Sequence, residues 1–334
     1  MKAAFFDAPL KVAVRTAPEP EAGPGRVVVK TAAAGLCGTD QHILHGDFVA
    51  QYPLIGGHEL AGVVEAVGSG VEDIKVGDRV AVDPSLFCGH CFFCQRNQGN
   101  HCLNWNAIGV TRPGGFADFV SAPAANIYQI GDMPFEQAAF VEPISCVVYG
   151  LDRVRIPVGA EVLIYGAGPM GLLMTQLVRH GNASRIVVVD KVPEKLDLAL
   201  TLGATDIVEA GSTSDARLHA MSPLGFDVVI DVTGVPSVAE RMFAHARPRG
   251  KVLFFGVCPS GATIALSPFQ VYKKDLEIFG SFALCYTFHQ AIALLKAGVV
   301  KVEPLISHRF ALDECPRALE LAGSGEALKV QLRW

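Results

Sequence analysis

Long apolar runs, blocks of like charge and low-complexity tracts are all missing from this chain of 334 residues. No stretch reaches the ~18 apolar residues that a bilayer crossing needs, so no membrane-spanning helix is expected. Only 18% of residues are charged, the net charge is -5, and no Lys/Arg cluster stands out. A nucleic-acid-binding surface is therefore not expected. The opening Met1-Lys2-Ala3-Ala4-Phe5-Phe6-Asp7 reaches an acid too early for a secretory signal, and a cytoplasmic location is the expectation. What the chain has in quantity is apolar residues, 50% of the total. That is enough to bury large cores, and the length suggests about two domains.

The stretch Val162-Leu163-Ile164-Tyr165-Gly166-Ala167-Gly168-Pro169-Met170-Gly171 organises the rest. Four apolar residues read as a buried strand, and Gly166, Gly168 and Gly171 fit G-x-G-x-x-G. Apolar residues at Leu172, Leu173, Leu177 and Val178 then suit a helix starting at the last glycine. Such a turn lets a pyrophosphate approach the backbone at a helix N-terminus, where unpaired N–H groups and the helix dipole favour an anion. A second apolar run, Ile186–Val189, ends in Asp190, where a ribose-binding acid belongs. Dinucleotide binding is the prediction. A carboxylate pairs with a free 2'-hydroxyl and repels a 2'-phosphate, so Asp190 favours NAD, with Lys191 beside it softening that repulsion.

Around this motif the texture changes twice. Residues 1–152 carry short strands broken by glycine, the clearest at Val27–Lys30, Gly62–Val67 and Asp78–Val82, and read as an all-β unit of Greek-key or barrel type. Residues 153–285 alternate strand and helix, with strands expected at 162–165, 186–189, 206–208, 227–231, 251–255 and 276–279. That is a complete doubly wound sheet, so the fold class is α/β. Residues 286–334 carry helices near Gln290–Leu295 and Leu312–Leu321 and a closing strand at Lys329–Leu332. This tail is too short for a domain and is expected to return to the first one.

Four of the nine cysteines, Cys88, Cys91, Cys94 and Cys102, fall within fifteen residues. Thiols at that density in a cytosolic protein point to a metal. Zinc suits four thiolates closed to solvent, and an iron–sulfur cluster is the runner-up. A site filled by four cysteines has no vacant position for a substrate, so its role is structural.

Gly35-Leu36-Cys37-Gly38-Thr39-Asp40-Gln41-His42, Gly57-His58-Glu59-Leu60-Ala61-Gly62 with Gly68 and Val71, and Val141-Glu142-Pro143 are bland when read separately. Together, Gly-His-Glu-x2-Gly-x5-Gly-x2-Val resembles the signature of the zinc-dependent medium-chain alcohol dehydrogenases. The four-cysteine loop and Gly166–Gly171 stand where that family has them, and the resemblance covers essentially the whole chain. It implies a GroES-like catalytic domain, an inserted six-stranded parallel Rossmann domain and a C-terminal return. Glu142-Pro143 resembles the sorbitol, or polyol, dehydrogenase branch.

By that resemblance Cys37 and His58 are zinc ligands, a coordination type for which alcohol dehydrogenases are the standing example, and Glu59 or Glu142 completes the site. Asp40 orients His58. Thr39 takes the alcohol proton, and His42 relays it to solvent. Lys195 lies near the adenosine ribose, while Met170, Gly256, Val257, Ser281 and Phe282 line the cofactor. The implied complement is two zinc ions and NAD, with a small alcohol or polyol as partner and a homodimer or homotetramer as assembly. Zinc stabilises the deprotonated alcohol so that hydride can leave.

Ala283 and Leu284 replace the basic and aromatic residues usual in sorbitol dehydrogenases, and Ile43 replaces a tyrosine beside the relay histidine. Sorbitol itself is therefore disfavoured against another polyol, a sugar alcohol phosphate or a smaller secondary alcohol. Glu142, Phe116 and a Gln41–Phe48 loop are expected to shape the pocket. Threonine- or formaldehyde-type zinc dehydrogenases are the alternative within the family. An NADH- or redox-sensing binding protein with structural zinc alone is the alternative outside it.

Overall fold

A computed structural model describes all residues, 1–334. The chain forms two compact units, one of Met1–Ser145, Cys285–Ala297 and Val302–Trp334, the other of Cys146–Leu284 and Gly298–Lys301.

The second unit is built on six parallel strands. Their order across the sheet is Asp206–Glu209, Arg185–Asp190, Glu161–Tyr165, Phe226–Asp231, Ala246–Phe254 and Glu277–Gly280. Strand order reverses between Glu161–Tyr165 and its neighbour Phe226–Asp231, the switch point where open α/β sheets bind ligands. Central strands of such a sheet are covered on both faces, which is why they read as unbroken apolar runs. Leu163, Val187, Val229 and Val252 are all fully buried there. The helix after the glycine turn runs Pro169–His180, two residues earlier than its apolar spacing predicts. Proline at the first helical position costs nothing, because its missing N–H would be unpaired in any case. A Cβ at Gly171 would collide with the Gly166 carbonyl oxygen. The turn is therefore as tight as the motif requires.

The first unit is less purely β than expected. A seven-stranded sheet and a three-stranded sheet carry its core, but helices Gly38–His45, Cys315–Ser324 and others pack with them. The ten-residue strand Arg26–Gly35 is central and pairs with three partners. Phe119–Pro123 lies against its first half, Glu59–Val67 along most of its length, and the last strand, Lys329–Arg333, at its final turn of register. The expected Gln41–Phe48 loop is instead helical as far as His45 and stops at Gly46, which is left-handed at φ 80°. Predicted helix Leu312–Leu321 opens with a 3-10 turn at Leu312–Glu314 and continues as Cys315–Ser324.

Candidate active site

Strand Arg26–Gly35 delivers Cys37 to the N-cap of helix Gly38–His45. The Cys37 N–H donates to Asp40 Oδ2 at 2.8 Å, a carboxylate satisfying a backbone donor at the helix start. Asp40 is fully buried, and its other oxygen, Oδ1, lies 3.7 Å from His58 Nδ1. That separation is too long for a hydrogen bond, and both atoms are buried without a partner. A ligand on the other ring nitrogen would make use of this arrangement, since metal-bound histidines almost always donate their second N–H to a carboxylate or carbonyl.

His58 immediately precedes strand Glu59–Val67, which Glu59 opens, and register pairs Glu59 with Gly35 directly. Ligand atoms of Cys37, His58 and Glu59 all lie within 4.8 Å of one another. Burial disfavours charge on His58, but Asp40, Cys37 and Glu142 outweigh it and hold the imidazole pKa well above 6.5. Carboxylates and a thiol around the imidazole favour a cation at this place. The donor set of thiol, imidazole and carboxylate fits a zinc ion.

Sequence reasoning missed Lys329. Its Nζ donates to both Glu59 oxygens, at 2.7 and 2.8 Å, and to the Leu36 carbonyl at 3.0 Å. Burial works against the ammonium, yet Glu59, Cys37 and Glu142 hold its pKa above the usual value. Gly35 makes the pair geometrically feasible, because a Cβ there would collide with the Glu59 carboxylate. A lysine among apolar residues in the closing strand was a visible oddity, but nothing in the sequence named its partner 270 residues away. Glu142 stands in the first turn of helix Val141–Val154, outside the three-ligand cluster, though its charge acts on both His58 and Lys329.

Thr39 and His42 lie three residues apart on helix Gly38–His45 and so share a face. Asp47, also unforeseen, holds His42 Nδ1 at 3.0 Å.

The four cysteines gather as a second cluster with sulfurs within 4.8 Å of one another. Cys88 and Cys94, and Cys91 and Cys102, are 3.9 Å apart. A tetrahedral zinc with ~2.3 Å bonds to sulfur needs sulfurs about 3.8 Å apart. Backbone N–H groups of Cys88 and Asn104 donate to Cys102 Sγ at 3.3 Å. Backbone donation, led by Cys94 N–H, pulls the Cys91 thiol down to about 6.

In the other unit the predicted cofactor residues collect at the C-terminal ends of the strands. Gly168 caps helix Pro169–His180, and Met170 and Gly171 lie in its first turn. Asp190 ends its strand with Oδ2 accepting from Ala167 N–H at 2.6 Å and Oδ1 from Val192 N–H at 3.0 Å. Gly256 and Val257 follow strand Ala246–Phe254, and Ser281 and Phe282 follow Glu277–Gly280. Lys195 lies in helix Pro193–Thr201.

Two metal-fitted clusters and a dinucleotide-type sheet define a metal-dependent dehydrogenase. Residues 23–132 match the alcohol dehydrogenase GroES-like domain family, and residues 169–297 match the zinc-binding dehydrogenase family. D-arabinitol dehydrogenase 1 of Uromyces fabae is 37% identical over 100% of this chain and 97% of its own length. D-altritol 5-dehydrogenase of Agrobacterium fabrum is 38% identical over 87% of each. A candidate zinc-binding dehydrogenase of Sinorhizobium meliloti, crystallised with NADP, superposes with a TM-score of 0.95 at 34% identity, covering 100% of this chain and 99% of its own. The chain belongs to the zinc-dependent medium-chain alcohol dehydrogenase family, on the side of its polyol dehydrogenases.

Proposed function

We propose that this protein oxidises a polyol or secondary alcohol to the ketose or ketone, with NAD as hydride acceptor. The observation that carries this reading is the buried cluster of Cys37, His58 and Glu59 with Asp40 behind the histidine. Cys37 and His58 hold the catalytic zinc, Glu59 or Glu142 completes its shell, and Cys88, Cys91, Cys94 and Cys102 hold the structural one. The catalytic ion supplies a Lewis acid that makes an alcohol proton labile near neutral pH. Thr39 accepts that proton and His42, steadied by Asp47, passes it to solvent. The 1–152 and 286–334 segments form the catalytic part, and 153–285 binds the dinucleotide.

Turnover across D-arabinitol, other polyols, simple secondary alcohols, sugar alcohol phosphates and L-threonine tests the reading, with NAD and NADP run in parallel. A polyol with NAD should give the highest kcat/KM. Asp190→Gly with Lys191→Arg should move the preference toward NADP by removing repulsion and adding a phosphate partner. A wild type that already prefers NADP defeats the ribose argument. No turnover on any alcohol, with zinc and NADH both bound, would favour an NADH-sensing role.

No disulfide joins any of the nine cysteines, which suits the reducing cytoplasm. No helix is long and apolar enough to cross a membrane. A homodimer or homotetramer belongs to the same reading. Strand Glu277–Gly280 is an unpaired edge carrying exposed Ile278, with exposed Phe269 and Tyr272 on the preceding helix. Such an edge is a template for pairing with a second copy. A monomer in sedimentation equilibrium would remove this part of the reading.

A further inference from the structure

Strand Phe226–Asp231 ends on Asp231, the register partner of Tyr165, which is the residue before Gly166. The Asp231 carboxylate is wholly buried. Its Oδ1 accepts from Thr233 N–H at 2.8 Å and from the Thr233 hydroxyl at 2.6 Å, while Oδ2 has no hydrogen-bond partner. The turn held in this way, residues 232–234, lies between two others. A Cβ on Gly166 would stand 2.8 Å from Val232 Cγ2, and one on Gly256 would stand 2.2 Å from Gly234 N. Three backbone turns at the strand ends therefore close on one another beside a single acid.

Other acids of this unit have cations, since Glu161 and Asp227 share Arg247 and Asp206 pairs with Arg185. Asp231 has hydrogen bonds alone. Burial pushes its pKa up, and the Thr233 and Gly234 donors work against that. Its charge is felt at Cys258, whose thiol pKa is raised by burial and then by Asp231. An asparagine carbonyl could accept both Thr233 bonds. What an aspartate adds is a buried negative charge without a counter-charge, and that costs stability. We propose that Asp231 sets the preference of the site between oxidised and reduced cofactor, its charge favouring the cationic nicotinamide of NAD over the neutral ring of NADH. This rests on the dinucleotide reading of the glycine turn. The two forms differ by one positive charge, which is lost when hydride adds to the ring. A fixed anion therefore acts on one form and spares the other. At an effective dielectric of about 20, unit charges about 10 Å apart change a binding constant roughly tenfold.

The test is calorimetric titration of the zinc-loaded full-length protein with NAD and, separately, with NADH. In Asp231→Asn the ratio of the NAD to the NADH dissociation constant should rise about threefold to tenfold. Thr233→Val keeps the charge and loses the hydroxyl bond, so it should keep the wild-type ratio. If the charge only tightens the turn, Asp231→Asn lowers Tm and weakens both forms alike. A ratio in Asp231→Asn that is unchanged or lower overturns the proposal. An equal rise in Thr233→Val would trace the effect to the shape of the turn and refute it too. Should Asp231→Asn fail to fold, Asp231→Ser carries the test on the same criterion, because its neutral side chain is smaller and adds no bulk. A wild type that binds neither form refutes the dinucleotide reading and this proposal with it. Both forms bound, with a ratio indifferent to residue 231, refutes the proposal alone.

Discussion

Replacing His58 with alanine should abolish alcohol oxidation and leave NADH binding nearly intact. His58 belongs to the cluster with Cys37 and Glu59 in one compact unit. Gly166, Gly168, Gly171 and Asp190 belong to the other unit, so the two losses should separate. A missing ligand costs the site its Lewis acid, a transition-state contribution worth several kcal/mol. At about 1.4 kcal/mol per tenfold, kcat/KM should fall by roughly a thousandfold or more. The buried Asp40 carboxylate, 3.7 Å from His58 Nδ1, would lose its facing imidazole as well. Thr39→Val supplies the contrast, since it should be nearly as damaging with zinc still bound, because the alcohol proton then has no first acceptor. Metal content, an NADH fluorescence titration and kcat/KM measured together decide the matter. Near-normal turnover by a His58→Ala enzyme retaining both zinc ions would refute the catalytic site, and by Thr39→Val would refute the proton route.

Cys91→Ser should act on stability rather than on chemistry. The loop from Cys88 to Cys102 contains only short 3-10 turns, Cys94–Arg96 and Gly99–His101. Its exposed Phe92 and the adjoining, exposed Leu103 add little core. Metal held by the four thiolates would therefore supply much of what orders it. Structural zinc in small peptides contributes on the order of 10 kcal/mol, comparable to the ~5–15 kcal/mol net stability of a whole domain. The wild type should hold two zinc ions by elemental analysis, and Cys91→Ser should hold one and melt many degrees lower. At temperatures where the variant remains folded, oxidation should persist. Two zinc ions in Cys91→Ser with an unchanged Tm would show that these cysteines bind no metal. Iron in the wild type would favour a cluster instead.

The two units differed in how far their folds could be read. Strands of the parallel sheet announced themselves, because burial on both faces demands the apolar runs at Val162–Ile164 and Ile186–Val189. Helix Gly38–His45 did not, since only Asp40 and Ile43 are buried in it. Without an apolar stripe a helix of eight residues carries little periodic signal, and its limits come from the Asp40 bond to Cys37 and the left-handed Gly46. Metal-type clusters were legible where ligands are close in sequence, as at Cys88–Cys102. Cys37 and His58 became readable only through the family signature around them.

By itself the sequence determined the glycine turn, the four-cysteine loop and the class of fold, because each is written in local spacing or in a contiguous motif. Tertiary structure alone decided how those residues are poised. Register sets Gly35 between Glu59 on one strand and Gln331 on the other. The bare glycine leaves room for the Glu59 carboxylate, and Lys329 meets it there through both oxygens. Asp47 likewise reaches His42 because the helix ends at Gly46 and the chain turns back. The physical reason is the same in both cases. Which residue faces which is fixed by strand pairing and chain reversal in space, not by spacing along the chain.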